Sequence, residues 1–269
     1  MSIPTPITPG AEPYFQRGGS TGCLCLHGFT ASPAEVRWFA AHLAEAGHTV
    51  YAPRLAGHGT TPRDLARVRW TDWYASALDG YHLLRQHCDQ IFVCGLSMGA
   101  LLALFLSAEV PVDGVIAMAA PMVIYGSPQN IAFVRLLKYV LPYTNQADTS
   151  ELPQRVRLEQ TRRGEPAVGR VRYDLWPTAG YEQFLRLRQA VIQRLPAVTA
   201  PLLLIFSEKD ATVGLASQQI ICEHARSRVI ETQILTESGH VMTQDMEMKT
   251  VFHWSRDFIA RQVASSPHQ

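Results

Sequence analysis

The sequence predicts an α/β fold in which a mostly parallel, doubly wound sheet carries a helical insertion between two core strands. Three observations point there. Short apolar runs recur without the alternation of a half-exposed strand, helical patterns separate them, and the rhythm breaks once, from about Met122 to Leu195, before it resumes. Strands alternating with helices imply right-handed crossovers, and a single interruption leaves both halves of the sheet in one unit.

Cys23 to Leu26 and Thr49 to Ala52 are the first two apolar runs. Between them Ser32-Pro33 offers an N-cap followed by a first-turn proline. Val36, Phe39, Ala40 and Leu43 then share one helix face, and Gly47 stops the helix. Thr71 to Gln86 reads as a helix, Ile91 to Cys94 as a strand, Met98 to Ser107 as a helix and Gly114 to Ala119 as a strand. Inside the interruption, two mostly helical stretches, Ile131 to Val140 and Tyr181 to Leu195, flank an Arg-rich polar middle with several prolines. Val134, Leu137 and Val140 fall on one side of the first; Phe184, Leu187, Val191 and Leu195 share a face of the second. After Pro201, Leu202 to Phe206 and Val229 to Leu235 restore the strands. The expected division is a core of residues 1–121 and 196–269 and a cap of residues 122–195. The cap is expected over the C-terminal edge of the sheet, where open α/β sheets bind ligands.

A chain of 269 residues accommodates one large domain with such an insertion. With 47% apolar residues and 24 Lys and Arg against 23 Asp and Glu, it lacks the basic excess of a nucleic-acid binder. Met1 to Gly10 has neither a basic residue nor an apolar run, unlike a secretory or mitochondrial leader. No segment reaches the ~18 apolar residues of a membrane span. Of five cysteines, Cys23, Cys25 and Cys94 lie inside strand-like runs, where they read as small buried hydrophobes suited to a reducing cytoplasm. The expectation is a cytoplasmic monomer or homodimer without stable membrane insertion. There is no His-Glu-x-x-His, no paired Cys-x-x-Cys and no phosphate loop, so neither metal nor cofactor is expected. His224, two residues after Cys222, fits a helix and lacks further ligands.

Gly95-Leu96-Ser97-Met98-Gly99 is the strongest local signal, set directly between an apolar strand and an apolar helix. A nucleophile in so sharp a turn leaves no room for side chains two residues to either side, which explains both glycines. Ser97 would then stand at a helix N-terminus, where backbone amides favour developing negative charge. A serine hydroxyl needs a base, and His240 follows a strand in a Gly-containing loop. His27 and His58 also end strands but precede Ser97, and in this architecture the order is Ser, then acid, then His. The acid is expected after Leu202 to Phe206, where Glu208 and Asp210 compete; Asp210 sits nearer the middle of the turn and is preferred. Met98 supplies one amide for an oxyanion and Phe29, in His27-Gly28-Phe29-Thr30, the natural second. The Phe29 ring is also placed to line a pocket. Gly57-His58-Gly59 reads as a structural turn.

Together these motifs resemble the α/β-hydrolase superfamily across nearly the whole chain. Leu-His-Gly-Phe-Thr, Gly-Leu-Ser-Met-Gly, Ala120-Pro121-Met122 and Ser-Gly-His-Val-Met-Thr-Gln-Asp make the chain similar to its bacterial carboxylesterase and monoacylglycerol lipase group. The resemblance implies Ser97, Asp210 and His240 as a triad, Phe29 and Met98 as oxyanion donors, and esters of short to medium acyl chains as substrates. The basic segment from Arg155 to Arg172 departs from the group. Other serine-dependent reactions on the same fold (amide, peptide or carbon-carbon bond hydrolysis, acyl transfer) stay open, since fold does not fix substrate. A non-catalytic receptor would have no need of an intact triad.

Overall fold

The computed structural model describes residues 6–265, so Met1–Thr5, half of the stretch read for a leader, lies outside the described residues. A seven-stranded sheet forms the centre: β1 (Tyr14–Gln16), β2 (Thr21–Leu26), β3 (Thr49–Ala52), β4 (Gln90–Leu96), β5 (Gly114–Met118), β8 (Leu202–Ser207) and β9 (Ile230–Leu235), in spatial order β1-β3-β2-β4-β5-β8-β9. All neighbours run parallel except β1, which joins β3 antiparallel. The fold is thus the mostly parallel α/β sheet that the apolar runs imply.

Alternate residues of each strand feed two cores. On one face Leu24, Leu26, Val93, Val115 and Leu204 pack with α3 (Trp70–Arg85), α4 (Met98–Glu109) and α7 (Thr178–Arg194). On the other Cys23, Cys25, Cys94, Ile116 and Ile205 pack with α1 (Ala34–Glu45) and α9 (Met248–Ser265). Every residue from Met98 to Ser107 is buried, because α4 lies between the sheet and α7. Two short helices, α2 (Pro62–Leu65) and α8 (Ala216–His224), complete the frame; the pair Cys222 and His224 lies on α8. The three strand cysteines are fully buried, and burial pushes the Cys23 and Cys94 thiols up.

Three local readings are corrected. Pro33 takes the cap position of α1, and the Ser32 hydroxyl donates instead to the Val171 carbonyl oxygen across the molecule, at 2.8 Å. The first inserted helix, α5 (Ile131–Leu137), stops before Val140, which is 85% exposed; of its expected face only Val134 is fully buried. The Arg-rich middle, read as polar with no helix of its own, contains α6 (Leu152–Arg162), which buries Leu152, Val156 and Gln160 at four-residue spacing. A two-stranded ladder of β6 (Tyr143–Asn145) and β7 (Leu175–Pro177) ties α5 and α6 to the start of α7. Helix α7 does bury Phe184, Leu187 and Val191, and Leu195, also buried, opens the 3₁₀ turn that follows. All these inserted elements leave β5 and return to β8, its neighbour in the sheet.

Candidate active site

Ser97 occupies the turn between β4 and α4 with φ 56° and ψ −117°, a left-handed conformation that costs a non-glycine residue. The turn holds because its flanks press together. A Cβ on Gly95 would lie 2.1 Å from the Gly99 carbonyl oxygen, and one on Gly99 would lie 2.0 Å from that of Leu26. The Ser97 amide donates to the Met118 carbonyl oxygen at 2.8 Å, so neighbouring β5 pins the turn from below.

The loops after β8 and β9 bring the other two groups to Ser97. His240 Nε2 is 2.9 Å from Ser97 Oγ and Nδ1 is 2.7 Å from Asp210 Oδ2. With Nδ1–H donating to the carboxylate, Nε2 is left to accept the serine proton. Asp210 Oδ1 accepts the Thr212 and Val213 amides at 2.8 and 2.9 Å. Burial pushes the Asp210 carboxyl up, but the His240 charge and hydrogen bond and these two amides outweigh it, so the group is held below the ordinary carboxylate range. For His240, burial pushes down while the Asp210 charge and hydrogen bond, helped by the Glu35 charge, push harder the other way; the imidazole stands above its usual value. Glu208 is exposed, engages Leu235 only through its backbone amide and does not line the cleft.

The loop carrying His240 has its own supports. Glu247 Oε2 accepts the amides of Glu237 and Ser238 at 2.9 and 2.8 Å, Asp245 Oδ2 accepts that of Gly239 at 2.8 Å, and the Ser207 hydroxyl donates to the Ser238 carbonyl oxygen. Asp245 closes the Ser-Gly-His-Val-Met-Thr-Gln-Asp motif already noted, but neither its role nor Glu247 and Ser207 stood out in the sequence, where an isolated acid near a helix start carries no distinguishing signal.

Met98 opens α4 immediately after Ser97, and the backbone at Gly28 is near enough that a Cβ there would lie 3.6 Å from Ser97 Cβ. The peptide joining Gly28 to Phe29 is held through its carbonyl oxygen, which accepts His27 Nδ1–H at 2.9 Å and the Ala31 amide at 3.3 Å. Because a trans peptide is planar, fixing that oxygen fixes the Phe29 N–H on the opposite side. His27 is fully buried and accepts the Leu55 amide on Nε2 at 3.2 Å; burial, first, lowers it to about 4 and keeps it neutral in this supporting role. His58 is buried between Gly57 and Gly59, both with positive φ, and contacts His27 edge-on with ring centroids 5.0 Å apart. Neither imidazole lines the cleft. The Phe29 ring does, clamped by Trp73 from the core and by Trp176 and Phe184 from the insertion at centroid distances of 6.0, 5.4 and 5.5 Å.

Above Ser97 opens a cleft of about 630 Å³ with two characters. Phe29, Ile124, Trp176, Phe184 and Val213 make an apolar side, whereas Asp148, Arg155, Arg170 and Arg172 from the insertion make a charged one. Among the described residues no group of His, Cys, Asp and Glu could hold a metal ion, and no helix is long and apolar enough to cross a membrane.

Residues 23–252 match the sequence profile of the alpha/beta hydrolase family. The chain is 34% identical over 262 residues to a thermostable monoacylglycerol lipase of Bacillus sp. (strain H-257), covering 97% of this chain and 99% of that protein. It is 28% identical over 256 residues to a carboxylesterase of Bacillus subtilis (strain 168), covering 95% and 98%. Among solved structures, one described with the metagenome-derived lipolytic enzymes LipS and LipT superposes with a TM-score of 0.83 at 28% identity, over 95% of this chain and all of that one. The Paleococcus ferrophilus monoacylglycerol lipase superposes with a TM-score of 0.75 over 93% and 99% of the two chains; at 15% identity, that likeness concerns the fold.

Proposed function

The chain belongs to the alpha/beta hydrolase family, and from that premise we propose that Ser97, His240 and Asp210 are the nucleophile, the base and the base-orienting carboxylate of a serine esterase. It is a carboxylic ester hydrolase, as its relatives are named. The carrying observation for the site is the continuous run of contacts Ser97 Oγ, His240 Nε2, His240 Nδ1, Asp210 Oδ2 at 2.9 and 2.7 Å.

In the proposed reaction Ser97 Oγ attacks the ester carbonyl carbon as its proton passes to His240 Nε2. The carbonyl π pair moves onto oxygen, and the amides of Phe29 and Met98 hold the oxyanion. Collapse breaks the bond to the alcohol oxygen, which leaves with the proton from His240. Water then repeats the sequence on the acyl-enzyme: it gives a proton to His240 and attacks the acyl carbon, and collapse returns the proton to Ser97 as the carboxylic acid departs. Asp210 keeps its proton-free form throughout and stabilises the imidazolium.

The substrates we propose are esters of short to medium acyl chains, monoacylglycerols among them. The Bacillus relative named as a monoacylglycerol lipase supports this, as does a cleft whose apolar side suits an acyl chain and whose charged side suits a polar alcohol. Residues 122–195 act as the cap that supplies the charged side and shares the apolar one with Phe29 and Val213 of the core. The free state of all five thiols supports a cytoplasmic location, and a monomer or homodimer is the expected state. The test is a fluorophosphonate probe followed by p-nitrophenyl esters of two to sixteen carbons, matched amides, monoacylglycerols and a triacylglycerol emulsion. Labelling at Ser97 and kcat/KM rising about three- to fourfold per methylene to an optimum within roughly four to twelve carbons is expected. No labelling would favour a receptor, amide turnover at ester rates would favour an amidase, and a flat length profile would remove the cap from substrate choice.

A further inference from the structure

Glu35 stands in the first turn of α1, only 8% exposed, with its two carboxylate oxygens pointed at different parts of the molecule. Oε2 accepts the Gly28 N–H at 2.8 Å, and Oε1 lies 3.3 Å from Arg170 Nη2. Arg170 comes from the insertion, is itself 10% exposed in its side chain, and donates from Nη1 to Asp148. The Gly28 N–H is one end of the residue whose carbonyl oxygen His27 and Ala31 hold at the other. Both peptides flanking Gly28 are therefore fixed, and with them the direction of the Phe29 N–H.

This arrangement has an electrostatic cost that decides its logic. A carboxylate against the oxyanion loop repels the negative charge that forms on the substrate oxygen, and in a partly desolvated cleft that repulsion is poorly screened. Arg170 answers it from the other side of Glu35. We propose that Glu35 and Arg170 form an ion-paired brace, with Asp148 as the second partner of the guanidinium, that positions the oxyanion loop for catalysis and makes its electrostatics depend on the inserted segment; the brace rests on the esterase reading of Ser97 given above. Both are positioning residues. Glu35 supplies the hydrogen bond, and Arg170 removes its electrostatic penalty.

The charged groups that act most on His240 are Asp210 from the loop after β8, Glu35 from α1 and Arg170 from the insertion, and Asp148, Glu151 and Arg172 of the insertion share its cleft. Asp245, from the loop of His240 itself, is paired with Arg155 at 2.8 Å, and Lys209 is paired with Glu237 at 2.6 Å. Glu35 raises the imidazole and Arg170 lowers it. Removing one or the other must shift the acid limb of activity in opposite directions, which a purely structural contact would not do.

The experiment compares Glu35→Gln, Arg170→Gln and the double variant by kcat, KM and the pH profile of kcat/KM for p-nitrophenyl butyrate, with thermal midpoints in parallel. Arg170→Gln should lower kcat by roughly tenfold and move the acid limb to higher pH, since the Glu35 charge is left unanswered beside the oxyanion loop. Glu35→Gln should move the limb to lower pH, with a smaller loss in kcat. Added to Arg170→Gln, it should restore most of the lost kcat and return the limb toward wild type. Additive losses in the double variant, or unchanged kcat and limbs in both folded single variants, would overturn the brace. If Arg170→Gln does not fold, Arg170→Lys replaces it: charge retained should leave the limb in place, and a limb displaced as far as in Glu35→Gln would overturn the idea. Fluorophosphonate labelling of the wild-type protein separates the two levels. A labelled Ser97 with indifferent brace variants defeats only the brace, whereas an unlabelled Ser97 defeats the esterase site on which it rests.

Discussion

Asp210 presents Oδ2 to His240 Nδ1 at 2.7 Å while Oδ1 is held by the amides of Thr212 and Val213 at 2.8 and 2.9 Å. The carboxylate is thus fixed by its own loop before it orients the imidazole. Replacing it by asparagine keeps the shape but puts a donor where an acceptor must be, which favours the wrong tautomer of His240. Asp210→Asn should cost on the order of 10⁴ in kcat, while Glu208→Gln, exposed and not lining the cleft, should cost little. Side-by-side kinetics of the two variants check this; the reverse ranking would move the role to Glu208.

Ser97→Ala and His240→Ala should each remove most of kcat and leave the fold intact, because both side chains face the cleft and not the packed core. Groups that act as a unit lose their effect together, so the double variant should be scarcely slower than either single one. Esterase kcat alongside the thermal midpoint measures both halves; multiplicative losses would contradict a shared proton transfer.

Activity and one part of stability should run in opposite directions with pH. A protonated His240 cannot take the Ser97 proton, so kcat/KM should fall with decreasing pH around a midpoint above the ordinary histidine value. The raised folded-state value means that His240 contributes stability that is fully present below the unfolded value and is lost as pH rises through the folded one. Thermal midpoints of wild type and His240→Gln should therefore differ more at about pH 5.5 than at about pH 8.5. An equal gap at both would show that the Asp210 pairing has no such linkage.

Gly99→Ala should be among the most damaging small substitutions in the chain. Its new methyl would meet the backbone of Leu26, which cannot rotate away, and a loss of about 3 kcal/mol or more is expected. Gly47→Ala is the control: φ there is +95°, but nothing lies within 4 Å of the added carbon, so only backbone strain of about 1–2 kcal/mol applies. Urea midpoints at unchanged m-values rank the two.

The strand, elbow and helix around Ser97 were legible because local steric needs wrote them: apolar runs on both sides and glycine where a Cβ cannot fit. His240 and Asp210 were legible from chain order and strand ends. Strand β1 was not, since Tyr14–Gln16 is partly exposed and exists only by pairing with β3. Helix α6 hid because Arg155, Arg157, Glu159 and Arg162 crowd a short segment whose buried face holds only Leu152, Val156 and Gln160. Spacing overextended α5 because an apolar residue such as Val140 can face solvent as readily as a core. Glu35 and Arg170 meet only through tertiary structure, and no local pattern announces a contact between residues so distant in sequence. The Arg-rich segment that stood apart from its group thus acquires partners in Glu35, Asp148 and Asp245.

The adjacency of β5 and β8 also bears on how the chain reaches this structure. Val115 pairs with Leu202, so that ladder closes a loop on the order of 85 residues, whereas β4 and β5 close one of about 20 through α4. Chain-closure entropy makes the first about 1 kcal/mol costlier than the second. The β4-α4-β5 unit should assemble early and β8 should dock late, once the inserted helices have shortened the effective gap. Leu101→Ala in α4 should then mainly slow refolding, and Leu204→Ala in β8 should mainly quicken unfolding, a contrast that the two arms of a denaturant chevron resolve. On that order, a nascent chain possesses a formed Ser97 elbow well before Asp210 and His240 arrive beside it.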